Sequence, residues 1–162
     1  MLNIIDNLKI NPEKIEHEFA RLADLLINKC KIEMNGYSFL INELEFYYYN
    51  DNLHPDPFVH RSELQNKCGF WYFHDSGIDI TFGHDNNYGG ILIRSLENNK
   101  PGPWNSFKSI MEILGTISTD NNIFCIKENS NRKCEIKTKK RINLILPKVI
   151  AYSGPNLPVI PE

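Results

Sequence analysis

Apolar residues at helical spacing open the readable part of the chain. Ile15, Phe19, Leu22 and Leu26 recur at steps of three and four, the pattern of a helix that buries one face. Asn11-Pro12-Glu13 precedes them and supplies an N-cap, a proline at the first helical position and an acid in the first turn. The pattern runs out near Lys29, and strand-like runs take over. Cys30 to Met34 predicts a strand. Asn35-Gly36 predicts a type I′ turn, which needs positive φ at both positions, and Phe39 to Tyr49 predicts the partner strand. Asn50 to Pro57 is turn-rich. Gly69 to Phe73 and Ile78 to Phe82 predict two short strands, His84 to Tyr88 a loop, and Gly90 to Glu97 a further strand broken by Pro101-Gly102-Pro103. Phe107, Ile110, Met111 and Leu114 predict a second amphipathic helix, stopped by Gly115. Asn122 to Lys127, Cys134 to Lys137 and Arg141 to Leu146 predict the last strands, and Pro155 to Pro161 an extended tail. The order predicts an α+β fold: a single domain over residues 1–162, with a mostly antiparallel twisted sheet and two main helices.

Two charges stand out against this pattern. Strict alternation along Phe39 to Tyr49 places Glu43, Glu45 and Tyr47 on one face with Phe39 and Ile41, and Leu44, Phe46 and Tyr48 on the other. In the same way Arg94 shares a face with Leu92 and Leu96. A carboxylate on an apolar strand face is costly unless it is paired or used. Glu45 and Arg94 are therefore expected to be partners. Such a pair is more often structural than catalytic, and Tyr47, Phe70, Trp71, Tyr72 and Phe73 are more often packing residues than ligand contacts.

Composition narrows the class. At 162 residues the chain is long enough for one core. Cys30, Cys68, Cys125 and Cys134 are scattered without a Cys-x-x-Cys pair, which predicts free thiols in a reducing, cytoplasmic compartment. No apolar run approaches spanning length, and Met1 to Asn11 lacks the features of a signal peptide, so no membrane partner is expected. The net charge of −2 gives no overall attraction to nucleic acid. From Arg132 to Lys148, however, seven basic residues face one acid, Glu135, as in a solvated hairpin or a phosphate-contacting patch. Among the five histidines, His54, Asp56 and His60 cluster, and His74-Asp75 and His84-Asp85 flank a strand. Two histidines and a carboxylate can hold a metal, but no spacing here is diagnostic and none is expected. There is no Walker loop, no dinucleotide fingerprint and no recognisable nucleophile motif.

Taken in order, several segments resemble the alkyladenine (3-methyladenine) DNA glycosylase family, of which this chain would be a short and divergent member. Ala20-Arg21-Leu22-Ala23-Asp24-Leu25-Leu26 is similar to the family's opening helix. Glu43-Leu44-Glu45-Phe46-Tyr47 is similar to its Glu-x-Glu-Ala-Tyr strand, and Asp56-Pro57-Phe58-Val59-His60 to its Asp-x-Ala-x-His segment. Ile78-Asp79-Ile80-Thr81-Phe82-Gly83 resembles its Val-Tyr-x-x-Tyr-Gly hairpin, and Ile91-Leu92-Ile93-Arg94-Ser95-Leu96-Glu97 its Leu-Ile-Arg-Ala-Leu-Glu strand. Gly102-Pro103 then precedes a helix ending in Leu114-Gly115, and Arg141-Ile142-Asn143-Leu144 falls at the family's Arg-Ile-Gly-Ile. The colinear set covers the chain from about Ala20 to Leu146.

The resemblance implies a fold like the formyltransferase C-terminal domain and a base-excision repair enzyme acting as a monomer. Its partner would be double-stranded DNA carrying an alkylated purine, whose N-glycosidic bond it would hydrolyse without a cofactor. Glu45 would be the base that activates water, and Arg94 would help hold that water. An adjacent arginine favours the ionised carboxylate that such a base needs. Tyr47 and His60 would line the pocket for a flipped base, and Phe82 would wedge into the minor groove. Lys139, Lys140 and Arg141 would contact phosphates. This chain departs from the family pattern at Asp79, where the family has a second base-stacking tyrosine. As a pocket residue, Asp79 would favour cationic methylpurines over neutral lesions. The segment after Gly83 is shortened, so the family's pocket asparagine has no clear counterpart beyond Asn86 or Asn87. The non-catalytic alternative is a relative that keeps the pocket and binds a nucleoside or a protein.

Overall fold

The computed structural model describes residues 4–98, 124–129, 132–140 and 149–153. Asn11 accepts a 3.0 Å hydrogen bond from the Glu13 amide, so the cap forms as the sequence predicts. Its first turn is a tight 3-10 turn, Pro12–Lys14, that leads into helix α2, Ile15–Asn28. A short helix α1, Ile4–Leu8, precedes it and was not anticipated. The α2 stripe is buried as expected, with Phe19, Leu22, Ala23 and Leu26 sealed from solvent.

Among the described residues, eight strands follow in one antiparallel sheet: β1 Cys30–Met34, β2 Tyr37–Tyr49, β3 Cys68–His74, β4 Gly77–Phe82, β5 Tyr88–Asn98, β6 Phe124–Glu128, β7 Ile136–Lys140 and β8 Val149–Ser153. The main path runs β3-β4-β5-β2-β1-β6, and β8 joins β2 beyond β1, carrying β7 on its outer edge. Asn35 and Gly36 both take positive φ (47° and 83°) in the β1–β2 turn, which confirms the hairpin. The second predicted helix around Phe107 to Gly115, the Arg141 to Leu146 strand and the proline-rich tail lie outside the described residues. Among the described residues, no helix is long and apolar enough to cross a membrane.

The two faces of the sheet differ. Helix α2 covers one, where Phe19 stacks on Phe46 with ring centroids 4.7 Å apart and Ile78, Ile80, Ile91 and Ile93 close the core. Here the alternation read from the sequence needs correction. Phe39 and Ile41 lie on the core face together with Leu44, Phe46 and Tyr48, not with Glu45. Strand β2 slips against β5 at Asn42, and β5 slips back at Arg94, since Ile41 pairs with Leu96, Glu43 with Ser95 and Leu44 with Ile93. Each bulge shifts the alternation by one residue. Arg94 therefore departs from Leu96, which faces the core. Arg132 pins the slip by donating to Ile41 O at 2.7 Å and to Asn42 Oδ1 at 2.6 Å.

Candidate functional site

The face away from α2 carries the candidate chemistry. Directly opposed residues on neighbouring strands share a face, and the pairings trace one row across the sheet. Lys139 on β7 pairs with Ile150 on β8, and Ile150 with Glu45 on β2. Glu45 pairs with Leu92 on β5, Leu92 with Asp79 on β4, and Asp79 with Tyr72 on β3. Segments scattered over more than half of the sequence thus contribute to a single line.

Beside this row lies a cavity of about 190 Å³ lined by Tyr47, Phe58, His60, Gln65, His74, Ser76, Asp79 and Leu92. Tyr47, His60 and Asp79, named from three separate motifs, are brought together here. Gln65, His74, Phe58 and Ser76 were not assigned to the pocket. The signal for His74 was its place two residues after Tyr72 on the same strand face. Gln65 gave no sequence signal, because a lone glutamine in a loop has no period to mark it.

Asp79 is buried and held on both oxygens. His74 Nε2 lies 3.1 Å from Oδ1, and Gln65 Nε2 donates to Oδ2 at 3.1 Å. Gly90 makes room for this carboxylate, since a Cβ there would collide with it. The hydrogen bond to Asp79, opposed by burial, holds the His74 imidazole above its ordinary pKa. His60 meets Tyr72, with Nδ1 3.2 Å from the phenol oxygen, and sits edge-on to His74 at 4.9 Å between centroids.

Glu45 is nearly buried, with 11% of its side chain exposed, and its Oε2 is 3.8 Å from Arg94 Nε. The two are within ion-pair reach, and neither lines the cavity. Arg94 keeps 48% of its side chain in solvent, so it is not the buried charge that its strand context suggested.

Two sequence expectations are corrected. Phe82 is not available as a wedge. It is 0% exposed, stacks on Tyr48 at 5.7 Å and meets Phe19 and Phe46 edge-on, because it alternates with Asp79 onto the helix-covered face. His54 does not cluster with His60 in a common site. It is buried against Phe19 and Tyr48, with Nδ1 2.9 Å from Tyr48 O.

The basic strand joins the sheet on the Glu45 side. Lys137 and Lys139 are exposed on β7. Lys140 ends that strand, and Arg141 lies outside the described residues. Arg132, counted in the basic stretch, is a nearly buried structural residue. The four cysteines are free thiols.

No family model matches the chain, and no solved structure matches it. The chain is similar to an uncharacterized protein of Acanthamoeba polyphaga mimivirus, at 35% identity over 126 residues, covering 60% of this chain. It spans 58% of the length of that relative.

Proposed function

We propose that this protein hydrolyses the N-glycosidic bond of alkylated purines in DNA after base flipping, on a fold of the formyltransferase C-terminal type. The supporting observation is the row that sets Lys139, Glu45, Leu92 and Asp79 side by side on one face, with Tyr47 and His60 at the adjoining cavity. Two strand spacings, about 10 Å, separate the Lys139 and Glu45 positions. That is a suitable distance for a cation that holds a phosphate while a base enters the cavity. Glu45 takes a proton from water, Arg94 holds the water, and Tyr47 and His60 meet the extruded base. Extrusion costs a few kcal/mol and exposes the bond to attack.

Release of free base from methylated duplex DNA tests this reading. Wild type is expected to release base. Glu45→Gln keeps the shape but cannot accept the proton, so release falls roughly a hundred- to ten-thousand-fold while DNA binding remains. Equal rates for the two proteins would remove Glu45 as the base.

A second reading is favoured by the burial of Phe82. Without that wedge the site is a binding module, with the cavity taking a free nucleoside. Nucleoside binding without base release from duplex DNA supports this reading.

A further inference from the structure

We propose that His60, His74 and Asp75 form a binding site for a divalent transition-metal ion of the zinc class at the rim of the cavity. The three residues each offer one donor atom, and these atoms lie within 4.8 Å of one another. His60 comes from the loop after β2, His74 from the end of β3, and Asp75 from the turn that follows it.

The state of His74 is the second, independent observation. Its side chain is 10% exposed, and its Nδ1 is buried without a hydrogen-bond partner. The Asp75 carboxylate faces it at 3.8 Å, an ion-pair contact longer than a hydrogen bond. A buried ring nitrogen left in this way calls for an explanation, and an ion is one. The other ring nitrogen, Nε2, faces Asp79, which Gln65 holds in turn. A ligating histidine characteristically gives its second nitrogen to a carboxylate, which fixes the ring and raises its basicity. His74 has that support already built. The Tyr72 hydroxyl, 3.2 Å from Nδ1, holds the His60 ring in place.

Asp75 is 91% exposed and bonded to its neighbour Ser76, so its carboxylate can swing toward the imidazoles at little cost. Donors at about 2.0–2.2 Å from a shared ion require this inward movement. Two imidazoles and one carboxylate suit zinc, cobalt, nickel or iron rather than magnesium or calcium, which take oxygen donors. Three protein donors leave a coordination position for water. Because His60 and His74 also line the cavity, that water would stand beside whatever the cavity holds.

Titration of the metal-free protein with cobalt(II) and zinc is the test. One equivalent is expected to bind, with a cobalt(II) visible spectrum that lacks the intense thiolate band. His60→Ala and Asp75→Asn replace exposed residues, leave the fold intact by circular dichroism and weaken binding at least tenfold. Asp79→Asn weakens it about 10–100-fold through its hold on His74, and His84→Ala leaves it unchanged. Absence of saturable binding, a thiolate band, or wild-type affinity in both His60→Ala and Asp75→Asn would overturn the proposal.

Discussion

Arg94 reaches Glu45 across a gap of 3.8 Å, yet only Glu45 is buried in the contact. This asymmetry sets the energy of the pair. Losing one partner of a fully buried pair costs about 3–5 kcal/mol, whereas pairs screened by solvent contribute about 0.2–1 kcal/mol. Arg94→Met is therefore expected to lower the unfolding free energy by about 1 kcal/mol or less, measured by urea denaturation. A loss several times larger would mean that Arg94 is far more enclosed than described.

Phe82→Ala separates a core residue from a wedge. Removing a fully enclosed phenylalanine costs about 3–5 kcal/mol, and Phe82 contacts Phe19, Phe46 and Tyr48. The expected result is a large drop in urea midpoint. A variant as stable as wild type but defective on DNA would restore the wedge.

Lys137 and Lys139 test whether β7 meets a polyanion. If DNA binds along this face, affinity falls steeply with salt. Each alanine substitution then reduces the log–log slope by roughly 0.9 per lost phosphate contact. Fluorescence anisotropy over a salt series gives the slopes. A wild-type slope near zero would favour the nucleoside-binding reading.

Cys30 provides a pH test of the core. Burial pushes its thiol from 9.0 up to about 12, so the folded state favours the protonated form. The unfolded chain gains thiolate from about pH 9. This contribution is fully present below pH 9 and declines as pH rises toward 12, at up to about 1.4 kcal/mol per unit. Cys30→Ala should be less stable at neutral pH and lose less stability on alkalinisation. Parallel curves for the two proteins would show that Cys30 does not carry the effect.

Much of the fold was legible because its signals are local. The α2 stripe, the Asn11 cap, the Asn35-Gly36 turn and the β1 boundaries each depend on a few neighbouring residues. Tyr47, His60 and Asp79 were named in advance as pocket residues through a resemblance, not through periodicity. The α2-facing position of Phe82 follows from its alternation with Asp79 along β4, which the resemblance does not take into account. Gln65, α1 and β8 were missed because they depend on long-range contacts: Gln65 matters through Asp79, and β8 through its pairing with β2. The mixing of Phe39 and Ile41 with Glu45 has a similar cause. A bulge is a two-strand event, and a single strand's alternation carries no trace of it.

The paired slips at Asn42 and Arg94 act as a parity switch. The two strands leave the irregularity in the same alignment with which they entered it, but odd and even positions have exchanged faces. Removing Asn42 alone would leave the strands one residue out of step. Removing Asn42 and Arg94 together would restore the step and give two regular strands in which plain alternation keeps Phe39, Ile41, Leu44 and Phe46 on the core face. Single deletions of Asn42 or Arg94 should therefore be poorly tolerated, and the compensating pair should be tolerated better than either. The cation that pairs with Glu45 at 3.8 Å comes from a residue that the ladder itself leaves over.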